Sequence, residues 1–162
     1  LMEQNVVLET QEALDALAAE DEAQEEVLTD KYLLFHSGGL LFGIPADHVM
    51  EIITNHTITK LPLLPYYVRG IINLRGQILP IVDIRRLLDH PQGEDTCMII
   101  LTIYDTLVGI VVDSVQRMLD VRQDSITPVP TRNDQKLVSG MCSLPDGQTM
   151  LRFDCDTLLD QF

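Results

Sequence analysis

The feature that most constrains this chain is that it says the same thing twice. Phe42-Gly43-Ile44-Pro45-Ala46-Asp47-His48-Val49 lines up with Val108-Gly109-Ile110-Val111-Val112-Asp113-Ser114-Val115 at an offset of 66. Val68-Arg69-Gly70-Ile71-Ile72-Asn73-Leu74 then matches Val138-Ser139-Gly140-Met141-Cys142-Ser143-Leu144 at an offset of 70, and Gly76-Gln77 through Asp83 matches Gly147-Gln148 through Asp154 at 71. Leu87-Leu88 answer Leu158-Leu159. Such order is the mark of a duplication. A β module of ~60 residues buries only ~60% of its unfolded surface and is marginal alone, so two copies gain by packing around a shared apolar boundary. Two convex modules side by side leave a groove between them, where a partner segment can settle.

The runs between punctuating Gly, Pro, Asn, Asp and Ser residues are short and β-like: Tyr32–Phe35, Leu40–Ile44, Val68–Ile72, Ile78–Asp83, Met98–Tyr104, Leu107–Val112, Leu119–Arg122 and Met150–Phe153. Gly38-Gly39 reads as a hairpin tip. Helices are brief: Val49, Ile52 and Ile53 are at helical spacing after Pro45, which suggests one over Asp47–Ile52, and single turns follow strands at Ile84–Leu88 and Cys155–Leu159. A boundary falls near residue 30. Residues 1–30 hold ten carboxylates and no Lys or Arg, whereas the body carries only −4 of the net −14. The sparse stripe of Val7, Leu14, Leu17 and Leu28 allows a weak amphipathic helix or a mobile acidic tail. The organisation expected is therefore an N-terminal extension over 1–30 and a β body over 31–160, with a first repeat half at about 31–90 and a second at about 96–160.

Charge and motif content narrow the function. An acidic protein repels phosphate backbones and anionic headgroups, which disfavours nucleic acid and direct membrane insertion and leaves a protein partner. No apolar run approaches the ~20 residues of a bilayer span. Cys97, Cys142 and Cys155 lie in apolar runs without C-x-x-C spacing, as buried free thiols of a cytoplasmic protein do. His36, His48, His56 and His90 are scattered with no metal-ligand spacing, and no phosphate-cradling glycine loop or nucleophile motif is present, so neither a cofactor nor an enzyme activity is expected. Asp83 and Asp154, like Asp47 and Asp113, recur as copies of one position after a strand. That repetition reads as capping of the following turn, not as an acid–base pair.

The most distinctive stretch runs from Pro62 to Asp83, with Pro62-Leu63-Leu64-Pro65, Arg69-Gly70-Ile71, Asn73-Leu74-Arg75-Gly76 and Pro80-Ile81-Val82-Asp83. It resembles the signature of the CheW family. Tyr32-Leu33-Leu34-Phe35, Phe42-Gly43-Ile44, Val49 and Glu51-Ile52 resemble the family's opening, and Val108 to Asp113 its second half, so the likeness covers about residues 31–160. It implies an all-β fold of two pseudo-repeated five-stranded SH3-like barrels with a few short helices, behind the acidic extension. It further implies a cytoplasmic, non-catalytic adaptor, peripheral to membrane-associated arrays, that couples chemoreceptor cytoplasmic tips to the regulatory domain of the CheA histidine kinase. A fragment of the related CheV type, or a paralogous scaffold of another receptor–kinase array, is the alternative. The family's receptor-binding positions fall on Val49, Glu51, Gly70 and Arg75, and no kinase-contact residue is assigned. Arg75 could pair a receptor carboxylate or brace its own barrel through local carbonyls, and Gly70 reads as a backbone position intolerant of a side chain. Phe42, Ile53 and the long acidic start depart from the family pattern.

Overall fold

The computed structural model describes residues 11–15, 27–91, 93–94, 97–129 and 137–161. Residues 11–15 are helical and exposed; the remainder of the expected extension up to residue 26 lies outside the described residues. From there the elements run β1 (Thr29–Ser37), β2 (Leu40–Pro45), a 3₁₀ turn (Ala46–His48), β3 (Val49–Thr54), β4 (Val68–Leu74), β5 (Gln77–Asp83) and α1 (Ile84–Leu87). The second half repeats them as β6 (Cys97–Ile103), β7 (Thr106–Val112), β8 (Ser114–Arg122), a 3₁₀ turn (Gln123–Ser125), β9 (Thr127–Pro128), β10 (Val138–Ser143), β11 (Thr149–Phe153) and α2 (Cys155–Leu159).

The halves of the sequence are not the two barrels. One sheet has the order β8-β1-β2-β11-β10-β9 and the other β3-β6-β7-β5-β4, so each half lends its first two strands to the sheet of the other. The junctions are parallel pairings: Ile81 faces Gly109 where β5 meets β7, and Arg152 faces Gly43 where β11 meets β2. The repeat extends to irregularities. Register shifts at Val49/Glu51 and at Val68/Gly70 return opposite β1 in β8 (Arg117/Val115) and at Val138/Gly140. The Thr59↔Ile71 bridge occupies the place that β9 fills in the other sheet.

Three apolar cores follow from this exchange. Tyr32, Leu34, Leu41, Cys142, Leu144 and Met150 fill one barrel, and the residues at equivalent repeat positions, Met98, Ile100, Leu107, Ile72, Leu74 and Leu79, fill the other. Between them lies a larger shared core with Leu33, Phe35, Phe42, Ile44, Val82, Ile84, Ile99, Leu101, Val108, Ile110 and Phe153. β1 and β6 are apolar on both faces because one face lines a barrel and the other lines the shared core. Phe35, Phe42 and Phe153 pack as an aromatic trio, with ring centroids 5.3, 5.9 and 6.0 Å apart.

Two expectations need correction. The helix anticipated over Asp47–Ile52 is absent: only Ala46–His48 turn, and Val49 opens β3. Val49, Ile52, Ile53 and Thr54 are β-branched and stiff at χ1, which favours extended backbone. Half-buried Val49, Glu51 and Ile53 then alternate with exposed Met50, Ile52 and Thr54. Asp83 and Asp154 do cap helices, accepting from the backbone N–H of Arg85 at 3.1 Å and of Thr157 at 3.3 Å. Asp47 and Asp113 do not: Asp47 sits inside a turn with no side-chain cap, and Asp113 closes a polar cluster described below.

The shared core predicts two opposite stability changes. Phe42→Ala should cost about 3–5 kcal/mol, with both sheets melting together. Ser37 Oγ is fully buried without a hydrogen-bond partner among the described residues, at the repeat position of core residue Ile103. Ser37→Ala, which removes that orphaned hydroxyl, should therefore leave stability unchanged or raise it by up to about 1 kcal/mol. Urea titrations of both variants check the pair.

Candidate functional site

All four sequence-predicted residues lie on the five-stranded sheet, and the structure joins two of them directly. Glu51 is on β3 and Arg75 is in the turn from β4 to β5, so they belong to opposite edges of that sheet. Arg75 Nη1 donates to Glu51 Oε2 at 2.6 Å. Arg75 thus braces its own barrel across the sheet's open side, through a carboxylate and not through local carbonyls. Its side chain stays 71% exposed, against 28% for Glu51, which leaves most of the guanidinium facing water. The turn imposes this presentation: Arg75 and Gly76 both have positive φ, 51° and 84°, the mirror-image hairpin geometry, and the Asn73 side chain accepts the Gly76 N–H at 3.0 Å. A non-glycine residue held there is uncommon and carries backbone strain.

Gly70 and Val49 act differently. Gly70 is buried with φ of 147°, and a Cβ there would fall on the carbonyl oxygen of Thr59. That carbonyl accepts the Ile71 N–H at 2.9 Å and pins the loop before β4, so Gly70 is a backbone position. Val49 is half-buried against the shared core. Ile53, a departure from the family pattern, turns inward onto the core of its barrel.

Sequence reasoning missed two features. The first is an apolar hollow of about 330 Å³ lined by Leu40, Leu88, His90, Val129, Val138, Met141 and Leu151. It lies between the chain leaving α1 and residues of β2, β10 and β11 of the six-stranded sheet, and three of its lining residues, Leu88, Val138 and Leu151, also pack against the shared core. None of the four predicted residues lines it. The second is a buried cluster around Arg85, which is 2% exposed. Arg85 Nε and Nη2 hold the two oxygens of fully buried Asp83 at 2.8 and 3.0 Å, and Nη1 donates to Asp113 Oδ1 at 3.0 Å and to the Glu94 carbonyl at 3.2 Å. Burial works against the charge most strongly as a single effect, but the hydrogen bonds and charges of Asp83 and then Asp113 together outweigh it and raise the Arg85 pKa. One sequence signal was available for the cluster: the repeat sets Asp156 where Arg85 stands, a reversal of charge at an otherwise matched position.

Among the described residues no group of three or more His, Cys, Asp or Glu is placed to hold a metal ion. The three cysteines are free and buried. Burial, and secondarily the carboxylates of Asp154 and Asp156, push the Cys155 thiol up to about 12 from the ordinary 9.0.

Two measurements follow. Gly70→Ala should cost about 1–3 kcal/mol because the backbone must distort, while Arg75→Gln at a mostly exposed pair should cost less than about 1 kcal/mol; denaturant unfolding would refute this if the order reversed. The raised thiol pKa means the unfolded chain loses that proton first, so stability should fall between about pH 9 and 12, with a shallower fall in Cys155→Ala. Urea midpoints across that range test the sign.

The fold defines a class, the doubled and strand-exchanged SH3-like barrel. A family model described as CheW-like domain matches residues 31–162, and the chain belongs to that family. It is 34% identical over 118 residues to a chemotaxis protein CheW of Klebsiella aerogenes, covering 70% of each chain. It is 30% identical over 115 residues to a chemotaxis protein CheW of Helicobacter pylori, covering 69% of this chain and 68% of that one. The crystal structure of the scaffolding protein TtCheW from Thermoanaerobacter tengcongensis superposes with a TM-score of 0.72 at 29% identity, covering 78% of this chain and 90% of that one.

Proposed function

We propose that this protein is a chemotaxis adaptor that couples chemoreceptors to the CheA histidine kinase, acting by holding partners and not by turnover. The observation that carries the reading is the match over residues 31–162 to the CheW-like domain, together with relatives named as chemotaxis and scaffolding proteins. The geometry suits it. The hollow offers an apolar seat for the side chains of a helical receptor tip, and Val49, Glu51, Gly70 and Arg75 belong to the receptor face on the neighbouring sheet, Glu51 and Arg75 supplying its polar part. Exposed Arg75 supplies a fork for a receptor carboxylate beyond the one it already holds. Gly70 acts indirectly, by keeping the loop at Thr59 in place. The kinase regulatory domain meets the remaining exposed aliphatic surface, barrel against barrel. No helix among the described residues is long and apolar enough to cross a membrane, and association with a receptor array would be peripheral, on the cytoplasmic side.

Arg75→Glu should weaken binding of a purified chemoreceptor cytoplasmic fragment by at least about tenfold, since a charge-assisted contact becomes a repulsion. CheA binding and the thermal midpoint should change little. The swap Glu51→Arg with Arg75→Glu separates the two roles of the arginine. If the pair serves only as an internal brace, the swap restores receptor affinity; if Arg75 also contacts the receptor, affinity stays low. Unchanged affinity in the single variant removes Arg75 from the site.

A further inference from the structure

The Arg85 cluster joins the two sheets at one of their two repeat-related junctions. Asp83 ends β5 of the five-stranded sheet, and Asp113 is the one residue between β7 of that sheet and β8 of the six-stranded sheet, where the main chain crosses from one to the other. Asp113 turns its two carboxylate oxygens in different directions. Oδ1 accepts from Arg85, while Oδ2 accepts the Gly38 N–H at 2.9 Å in the β1–β2 turn of the other sheet. The Asp113 N–H also donates to the carbonyl of His36, on β1, at 2.9 Å. At the repeat-equivalent place Asp156 stands for Arg85, Asp47 for Asp113 and Tyr104 for Gly38. The links there are of another kind: the His48 ring meets the Thr102 carbonyl at 3.0 Å and Tyr104 pairs with Asp156, with no arginine among them. The two junctions of the duplicated fold are therefore built differently, and the buried arginine with two carboxylates belongs to one of them.

The position of the cluster says what it does. His90 donates its backbone N–H to the Arg85 carbonyl at 2.8 Å, and its ring lies against Gly38. His90 and Leu88 form one wall of the apolar hollow, and Leu40, two residues beyond Gly38, forms another. Arg85 therefore holds one wall through its own backbone and the other through Asp113 and the Gly38 turn. We infer that Arg85 is a positioning residue, which with Asp113 locks the two sheets at a fixed angle and so sets the width of the apolar hollow. This deepens the docking reading above and rests on it only for the identity of the occupant. A cluster that touches no partner then decides how well a helical tip is held.

Two variants perturb the lock without stranding a buried charge. In Asp113→Asn the amide can still face Arg85 with its oxygen, but its NH₂ then opposes the Gly38 N–H, so the side-chain link from Arg85 to the Gly38 turn is broken while the main-chain bond to His36 stays. Gly93→Ala presses from the solvent side: its Cβ would lie 2.6 Å from Arg85 Nη1. Amide residual dipolar couplings of the full chain read sheet orientation directly. In the unmodified protein one alignment tensor should fit both sheets; in either variant the sheets should need two. Affinity for a purified chemoreceptor cytoplasmic fragment should fall about tenfold, a size ordinary for coupling through a packed network. Variants that keep the single tensor overturn the inference whatever their affinity. A changed orientation with unchanged affinity overturns the link to the hollow. If the unmodified protein does not bind the fragment at all, the docking reading fails, and the dipolar couplings still decide whether Arg85 locks the sheets.

Discussion

The structure depends on two short parallel pairings, β5 with β7 and β2 with β11, through which each half of the chain completes the other's sheet. A lone half would leave those edges unpaired and its apolar faces exposed, both unfavourable in water. Exchanging the first two strands covers the edges and makes β1 and β6 walls of two cores at once. The large core of Phe35, Phe42, Ile99, Ile110 and Phe153 is therefore a consequence of the exchange, not a contact between finished domains.

Where two copies of one pattern agree, they report what the fold needs; where they differ, they report what one side does alone. The barrel cores agree position by position. The exposed pair does not: the offsets of 66 and 71 carry Glu51 and Arg75 onto Arg117 and Asp146, with the charges exchanged. Asp146 instead accepts the Gln148 N–H at 2.9 Å within its own turn. The Arg85 cluster differs more, since its counterpart holds carboxylates and Tyr104, whose hydroxyl pKa the neighbouring Asp156 raises. Both asymmetries lie at the surface or at the seam between sheets, where partners can be met.

Much of this was legible in the residues. The duplication, most strand positions, the helix-capping roles of Asp83 and Asp154 and the Gly38-Gly39 turn follow from spacing and turn chemistry. The exchange of strands was not legible, because parallel pairing between distant segments leaves no local mark on either. β3 was misread since Val49, Ile52 and Ile53 satisfy a helical spacing as readily as an extended one over six residues. β8 proved longer than Leu119–Arg122, starting at Ser114, because Ser114, Gln116 and Arg117 carry no apolar alternation. Gly70 was readable as a backbone position from its type alone. The partnership of Glu51 with Arg75 was not, since 24 residues and a long loop separate them.

The central claim is that one rigid body presents two docking surfaces that can be filled together. The most direct test titrates a purified chemoreceptor cytoplasmic fragment into the protein already saturated with the CheA regulatory domain, with complex mass followed by sedimentation. A ternary complex with receptor affinity equal to or above that of the protein alone is the predicted result. Displacement of one partner by the other, or failure of either to bind, would contradict the account.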